Sequence, residues 1–273
     1  MGNGPASVET LHPVGSVPNS PAAIGGRIPL GQVTWPATLA VLVGRSVFIL
    51  AAQGVVAAVF ALRGHPTPWN AAAPWWTVYA NLVDIGCLVL LVMYTRREGI
   101  RLRDLVGRLR LRWGRDLFLG LACFACGIAF FGWGGAQATR LVLGTTNPDV
   151  YPGLLMARVL PGWAIVYSLF FWVVWSPTEE MTYQGFALPR LEALCGRTWL
   201  AVSIVAFWWA LQHSFIPFIV DWQYVIWRFC FFLPGVLAFL LLYVRLRRLP
   251  PLILAHWGMD IIGAVLTLKF PSQ

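Results

Sequence analysis

The chain has 273 residues, of which 58% are hydrophobic and 11% are charged. A soluble globular domain carries about 25% charged residues, so this composition excludes an ordinary soluble protein and predicts an all-α, polytopic transmembrane helical bundle. The net charge of +9 comes from arginine, because Lys269 is the only lysine.

The N-terminal segment, residues 1–34, is rich in Gly, Pro and Ser, and Glu9 and Arg27 are its only charged residues. A segment of this kind lacks the apolar surface needed to offset the entropy of ordering. We therefore expect a mostly disordered tail over residues 1–34 and a single transmembrane domain over residues 35–273.

Apolar segments follow, each near the length of about 20 residues that a spanning helix needs. The seven segments are residues 36–62, 75–95, 116–134, 164–188, 199–219, 225–244 and 250–268. Arginine-rich loops at 96–115 and 245–249 lie on the cytoplasmic side by the positive-inside rule. We expect these loops to contact anionic lipid headgroups rather than nucleic acid. The arginine-rich, lysine-poor composition predicts a multi-pass protein of a bacterial cytoplasmic membrane.

Ionisable side chains inside the predicted spans are few, and each is a hypothesis about function because its insertion costs about 2.5–3.5 kcal/mol. The set comprises Arg45, Asp84, Glu179, Glu180, His213, His256 and Asp260. Arg45 and Asp84 lie at comparable depth in neighbouring spans, so we predict a structural ion pair. The other five residues lie on three later spans, at depths that allow them to converge on one buried site.

The stretch SPTEEMTYQG, residues 176–185, interrupts one of the apolar segments. Ser176, Pro177 and Glu179 match a capping box with proline at the first helical position. This pattern predicts a broken helix, which a membrane protein tolerates where the break lines an enclosed cavity. A cap needs only one glutamate, so Glu180 indicates a buried polar site.

The two histidines within spans need not be functional when each is taken alone, because a core histidine with satisfied hydrogen bonds is common. Asp260, however, follows His256 by one helical turn, so the two side chains share a face. Together with His213 and the glutamates, they favour a functional site. Such a site could activate a water for hydrolysis, or relay protons or bind an ion in an ion-coupled membrane transporter.

Three motifs occur in order on separate predicted spans: EEMTYQ, WALQH and HWGMD. This order resembles the CAAX-protease and bacteriocin-processing (CPBP, or Abi) family of intramembrane proteases, whose motifs are EExxxR, FxxxH and HxxxN or HxxxD. The resemblance covers residues 155–268, which we take as the protease core. Gln184 stands where the family has arginine, and Trp209 where it has phenylalanine. An arginine could pair with Glu180 one turn earlier, whereas Gln184 can offer that carboxylate only neutral hydrogen bonds.

The resemblance implies an endopeptidase that cleaves a membrane-associated protein or peptide within the bilayer. It assigns catalytic roles to Glu179, Glu180, His213, His256 and Asp260. By the family's pattern, Glu179 and His213 would activate the attacking water, and His256 with Asp260 would lie on the oxyanion side. This scheme requires no cofactor, although two histidines and one glutamate could also hold a catalytic zinc ion.

Overall fold

The computed structural model of the chain describes residues 17–107, 113–147 and 160–267. Within these ranges the chain forms ten α-helices and no β-strand, which confirms the all-α prediction. In chain order the helices are α1 (Pro21–Arg27), α2 (Trp35–Leu62), α3 (Pro68–Ala72), α4 (Trp76–Arg97), α5 (Trp113–Leu143), α6 (Gly162–Glu180), α7 (Leu188–Cys195), α8 (Thr198–Gln212), α9 (Trp222–Leu246) and α10 (Pro250–Thr267). A π-helical segment, Met181–Ala187, joins α6 to α7.

Some stretches of the described chain are long and apolar enough to cross a membrane, judged by length and composition. The four stretches are Trp35–Leu62, Pro68–Arg97, Gly114–Leu143 and Trp222–Leu246. The other predicted spans correspond to α6, α8 and α10, of which α8 has only 15 residues because it ends at Gln212. The polytopic helical bundle is thus confirmed, whereas seven as the number of spans stays a prediction.

Helix packing brings polar residues of different spans together. α2 packs on α4 and α8, and α6 packs on α4 and α10. The π-helical segment after α6 also contacts α2 and α8. The C-terminal end of α6 therefore lies among all the helices that carry the other candidate residues.

The crossing of α5 and α9 depends on glycine. A Cβ atom added to Gly235 would lie 2.3 Å from the ring of Phe131, and one added to Gly135 would lie 2.5 Å from the ring of Phe231. The missing side chains therefore let each helix accept an aromatic ring from the other. Small residues at helix crossings are typical of membrane bundles, where close packing holds the helices together.

The interruption of α6 differs in place and kind from the predicted break. The α-helix continues through Pro177, and regular geometry gives way only at the π-helical segment that follows Glu180. Ser176 does not cap a helix, because its hydroxyl donates to Asp260 Oδ2 at 2.7 Å. Proline removes one backbone donor, a loss that a packed membrane helix tolerates. π-helical turns are frequent at functional sites, so the irregular backbone still adjoins the two glutamates.

Part of the segment assigned to a disordered tail is ordered in the structure. Within residues 17–34, Ser20 caps α1, and α1 packs on α7. Arg27, the last residue of α1, is buried and donates to Glu98 Oε2 at 2.7 Å. Composition carries no information about such long-range contacts, which is why it predicts a tail here. Residues 1–16 lie outside the described residues.

Candidate active site

Glu179, near the C-terminal end of α6, has a fully buried carboxylate. Its Oε1 accepts hydrogen bonds from Trp209 Nε1 and from Gln212 Nε2, the latter at 2.7 Å. Its Oε2 accepts from Arg45 Nη2 at 3.2 Å. A buried carboxylate needs a cation and hydrogen-bond donors to stay charged, and Glu179 has both.

His213, the residue that follows α8, faces Glu179 with one defined ring nitrogen. Its Nδ1 lies 2.8 Å from the carbonyl oxygen of Trp209. A carbonyl only accepts, so Nδ1 carries the hydrogen, and the lone pair of the neutral ring is on Nε2. Nε2 lies 3.7 Å from Glu179 Oε1. Phe232 stacks on the ring with centroids 3.8 Å apart and fixes its plane.

Glu180 and His256 form a second polar pair. Glu180 Oε1 lies 2.8 Å from His256 Nδ1. The other ring nitrogen, Nε2, lies 3.6 Å from Asp260 Oδ2, which also accepts from the Ser176 hydroxyl. Acidic groups thus face both nitrogens of His256, an arrangement in which both nitrogens act as N–H donors.

The predicted ion pair between Arg45 and Asp84 is confirmed, with Nη1 3.0 Å from Oδ1. It belongs to a larger network, because the same guanidinium donates to Glu179 and, through Nε, to Gln212 Oε1 at 3.1 Å. The ring of Trp175 lies 4.0 Å from the guanidinium carbon. The sequence gives no signal for this network, because these two acceptors lie 134 and 167 residues away from Arg45.

The site is most accessible on the side of its histidines. The two carboxylates of α6 are 0% exposed. The other candidate side chains retain some exposure: 12% for His213, 11% for His256 and 16% for Asp260. A molecule that reaches the site therefore meets the two histidines before the glutamates.

The surroundings of Glu179 bear on the zinc alternative, which stays a hypothesis. The described ranges contain no group of three His, Cys, Asp or Glu side chains arranged to hold a metal ion. A zinc ion held by Glu179 would also stand beside the Arg45 guanidinium, and the like charges would repel each other.

Residues beside the motif glutamates and histidines complete the site. Trp209 and Gln212, which both bind Glu179, lie three residues apart on one face of α8, and this spacing is a signal that the sequence offers. Gln184, in contrast, does not hydrogen-bond Glu180. Among the residues that the structure describes, neither polar atom of the Gln184 side chain has a partner.

The fold and the site define a helical membrane protein that buries a centre of carboxylates and histidines. Residues 161–262 match the family model described as type II CAAX prenyl endopeptidase Rce1-like, which confirms the resemblance to the CAAX-protease family. The matched segment contains all the candidate site residues taken from the motifs. The match supports CAAX-type endopeptidase activity in a membrane. No curated protein and no solved structure matches the chain.

Proposed function

We propose that the chain is an intramembrane endopeptidase in which Glu179 and His213 activate the water that attacks the scissile peptide bond. The observation that carries this proposal is the distance of 3.7 Å between Glu179 Oε1 and His213 Nε2. Both atoms are acceptors while the ring is neutral, so one water can donate a hydrogen to each. Such a water presents a lone pair of its oxygen to a carbonyl carbon.

Proton transfer in this scheme is balanced without a cofactor. A bond forms between the water oxygen and the carbonyl carbon, and the water gives one proton to the Glu179–His213 pair. The same proton passes to the amide nitrogen as the C–N bond breaks, which releases an amine and a carboxylic acid. The acid then loses its proton to the amine, so that the products are an ammonium group and a carboxylate. The hydrogen bonds of Trp209 and Gln212 hold Glu179 in the required position.

The tetrahedral intermediate carries a negative oxygen that needs hydrogen-bond donors. We assign this role to His256, because the carboxylate of Asp260, 3.6 Å away, favours a hydrogen on Nε2. Glu180 binds Nδ1 on the other side of the ring at 2.8 Å and sets the ring's orientation. Glu180 therefore acts on the reaction through His256.

The same proposal makes the reaction independent of a metal ion, since Arg45 already neutralises the carboxylate that would have to bind one. The family match lends no support to the ion-coupled transporter that the same polar residues could form.

Glu179→Gln is the variant that tests the proposal. Glutamine keeps the size of the side chain but takes no proton from water, so we expect the cleavage rate to fall by about 10²–10⁴-fold. The assay uses the full-length protein in lipid nanodiscs and two quenched-fluorescent peptides with the same CaaX tail, one farnesylated and one not. Glu192→Gln is the control, because Glu192 pairs with Arg247 away from the site.

Cleavage by the wild type and the control, but not by Glu179→Gln, supports the mechanism. Cleavage by Glu179→Gln at the wild-type rate contradicts it. A preference for the farnesylated peptide indicates that the enzyme binds the prenyl group. Loss of activity on chelation, with metal bound stoichiometrically to the purified protein, contradicts the metal-free reaction.

A further inference from the structure

The guanidinium of Arg45 joins both oxygens of Glu179 in a closed ring of hydrogen bonds. Nη2 donates directly to Oε2 at 3.2 Å. Nε donates to the amide oxygen of Gln212 at 3.1 Å, and the amide nitrogen of the same residue donates to Glu179 Oε1 at 2.7 Å. The plane of the carboxylate is therefore fixed from both sides by one arginine and its amide neighbour.

The ring is buried, which makes the charge of Arg45 important. The side chains of Arg45 and Glu179 are 0% exposed, and that of Asp84 is 2% exposed. A carboxylate that is buried without a cation takes up a proton instead of staying charged. Arginine is always charged in proteins, so Arg45 supplies Glu179 with a permanent positive neighbour.

The position of Arg45 in the chain is also informative. It lies on α2, outside the segment that matches the family model, residues 161–262. Inside that segment, the place of the motif's arginine is taken by Gln184, which has no hydrogen-bond partner among the described residues. The guanidinium that contacts Glu179 therefore comes from a different helix.

We propose that Arg45 is a positioning residue for Glu179, which it keeps ionised and oriented so that Oε1 faces His213. The cation beside the glutamate pair thus lies on α2 in this chain, and it binds Glu179. The inference rests on the proposed function, because it assigns Arg45 to the mechanism in which Glu179 receives the proton of the attacking water.

Removal of Arg45 has a defined consequence. Glu179 would then hold a proton at neutral pH and could not accept another from water. Its other charged or titratable neighbours stay in place: Glu180 on α6, Tyr183 in the π-helical segment, Asp84 and Cys87 on α4, His213 after α8, and His256 and Asp260 on α10. Arg45 lies away from the exposed edge of the site, so substrate affinity should not change.

The test measures the protonation of Glu179 by infrared spectroscopy of the full-length protein in nanodiscs. The main variant is the double substitution Arg45→Gln with Asp84→Asn. The second substitution is needed because Asp84 would otherwise keep a buried charge after losing its partner Arg45. The Glu179 band is assigned by subtracting the spectrum of the same protein with Glu179→Gln. We expect the double variant to show a carboxylic acid band for Glu179 in place of the carboxylate band of the wild type. An unchanged carboxylate band overturns the proposal.

Additional variants separate charge from general damage. Arg45→Lys keeps the charge, so we expect the carboxylate band to persist. Asp84→Asn alone leaves Arg45 in place, so the carboxylate band of Glu179 should persist in this variant too. Arg27→Gln removes a buried arginine that pairs with Glu98 far from the site, and the Glu179 band should not change. A carboxylic acid band in Arg27→Gln would show a nonspecific effect and would overturn the proposal.

Kinetics with the farnesylated and unfarnesylated CaaX peptides give a second readout. We expect kcat of the double variant to fall by about 100-fold with an unchanged KM, because a protonated Glu179 takes no proton from water while the binding of substrate is unaffected. If Glu179→Gln is fully active, the proposed function fails whatever the spectra show. If Glu179→Gln is inactive but the double variant keeps the wild-type kcat, the role of Arg45 alone fails.

Discussion

Hydrogen bonds from neighbouring groups decide which nitrogen of each site histidine carries a hydrogen. Nδ1 of His213 donates to the carbonyl of Trp209, which leaves the lone pair on Nε2. Nδ1 of His256 binds Glu180, and its Nε2 faces Asp260. The same residue type is therefore an acceptor at one position and a donor at the other. Peptide hydrolysis needs an acceptor that takes a proton from water and a donor that binds the oxyanion.

Asp260→Asn tests the donor role of His256. Asparagine keeps an oxygen for the hydroxyl of Ser176, which donates to Asp260 at 2.7 Å, but it removes the charge that favours a hydrogen on His256 Nε2. A hydrogen bond to a charged group contributes about 1.5–3 kcal/mol, so we expect kcat to fall by about tenfold or more. The peptide assay in nanodiscs measures this loss.

Two further substitutions complete that experiment. Asp260→Leu removes the acceptor as well as the charge and should abolish cleavage, whereas Ser176→Ala removes one hydrogen bond but leaves the charge of Asp260 and should have a smaller effect. Wild-type activity of Asp260→Leu would contradict the assignment of His256 to the oxyanion.

The sequence motifs predict which residues lie at the candidate site, but they do not predict which other side chains those residues contact. The order and spacing of EEMTYQ, WALQH and HWGMD suffice to select five residues that the structure places in contact or close to one another. Arg45 could be predicted only as a partner of Asp84, because a hydrogen bond to a residue 134 positions away leaves no periodic trace. The catalytic roles of these residues stay predictions.

At the scale of single helices, the length of an apolar segment predicts where a helix lies. It does not predict the local geometry of that helix. The predicted spans each contain a helix, yet the segment predicted at 199–219 is helical only as far as Gln212. Pro177 suggests a helix break, whereas the surrounding helices keep α6 regular through it. A π-helical turn depends on packing around it, so sequence periodicity alone could not predict it.

Gly235→Ala should weaken the crossing of α5 and α9. The new Cβ atom would lie 2.3 Å from the ring of Phe131, so one helix must move. Overpacking of this kind destabilises a protein by about 1–3 kcal/mol. The midpoint of thermal unfolding, followed through the reactivity of the buried thiol Cys123, measures the effect.

The matched control for that experiment is Gly132→Ala on α5. A Cβ atom at this position meets no atom within 4 Å, so the higher helix propensity of alanine should leave stability unchanged or raise it by up to about 1 kcal/mol. Equal unfolding midpoints for Gly235→Ala and the wild type would contradict the tight crossing.

Across the whole molecule, a second buried charge cluster ties the N-terminal segment to the bundle. Glu98 accepts from Arg190 Nε at 2.6 Å and from Arg27 Nη1 at 2.7 Å. Burial lowers the pKa of Arg27, and the Glu98 carboxylate offsets part of this shift. The cluster joins α1, the end of α4 and α7, so one carboxylate stabilises the position of three elements.

Glu98→Gln should therefore loosen residues 17–34. The substitution leaves two buried guanidinium groups without their anion, and breaking a buried ion pair costs about 3–5 kcal/mol. Hydrogen exchange of backbone amides in α1 should become faster than in the wild type. Glu192→Gln is the control, since its partner Arg247 is 37% exposed and reaches water when the pair is lost, so this substitution should cost less than Glu98→Gln. Equal exchange in Glu98→Gln and Glu192→Gln would contradict the anchoring role.

Composition predicts the class of the molecule because burial in lipid demands apolar helices. It does not predict which parts of the N-terminal segment are ordered, since that depends on Arg27 meeting a carboxylate 71 residues away. The sequence therefore predicts the apolar helices of this fold but not its long-range polar contacts.

The most direct test of the central claim compares the mature termini of all membrane proteins in cells that hold either the wild-type chain or Glu179→Gln at equal abundance. We predict cleavage sites that occur with the wild type and disappear with Glu179→Gln, and these sites identify the substrates. Identical sets of termini would contradict an endopeptidase that depends on Glu179.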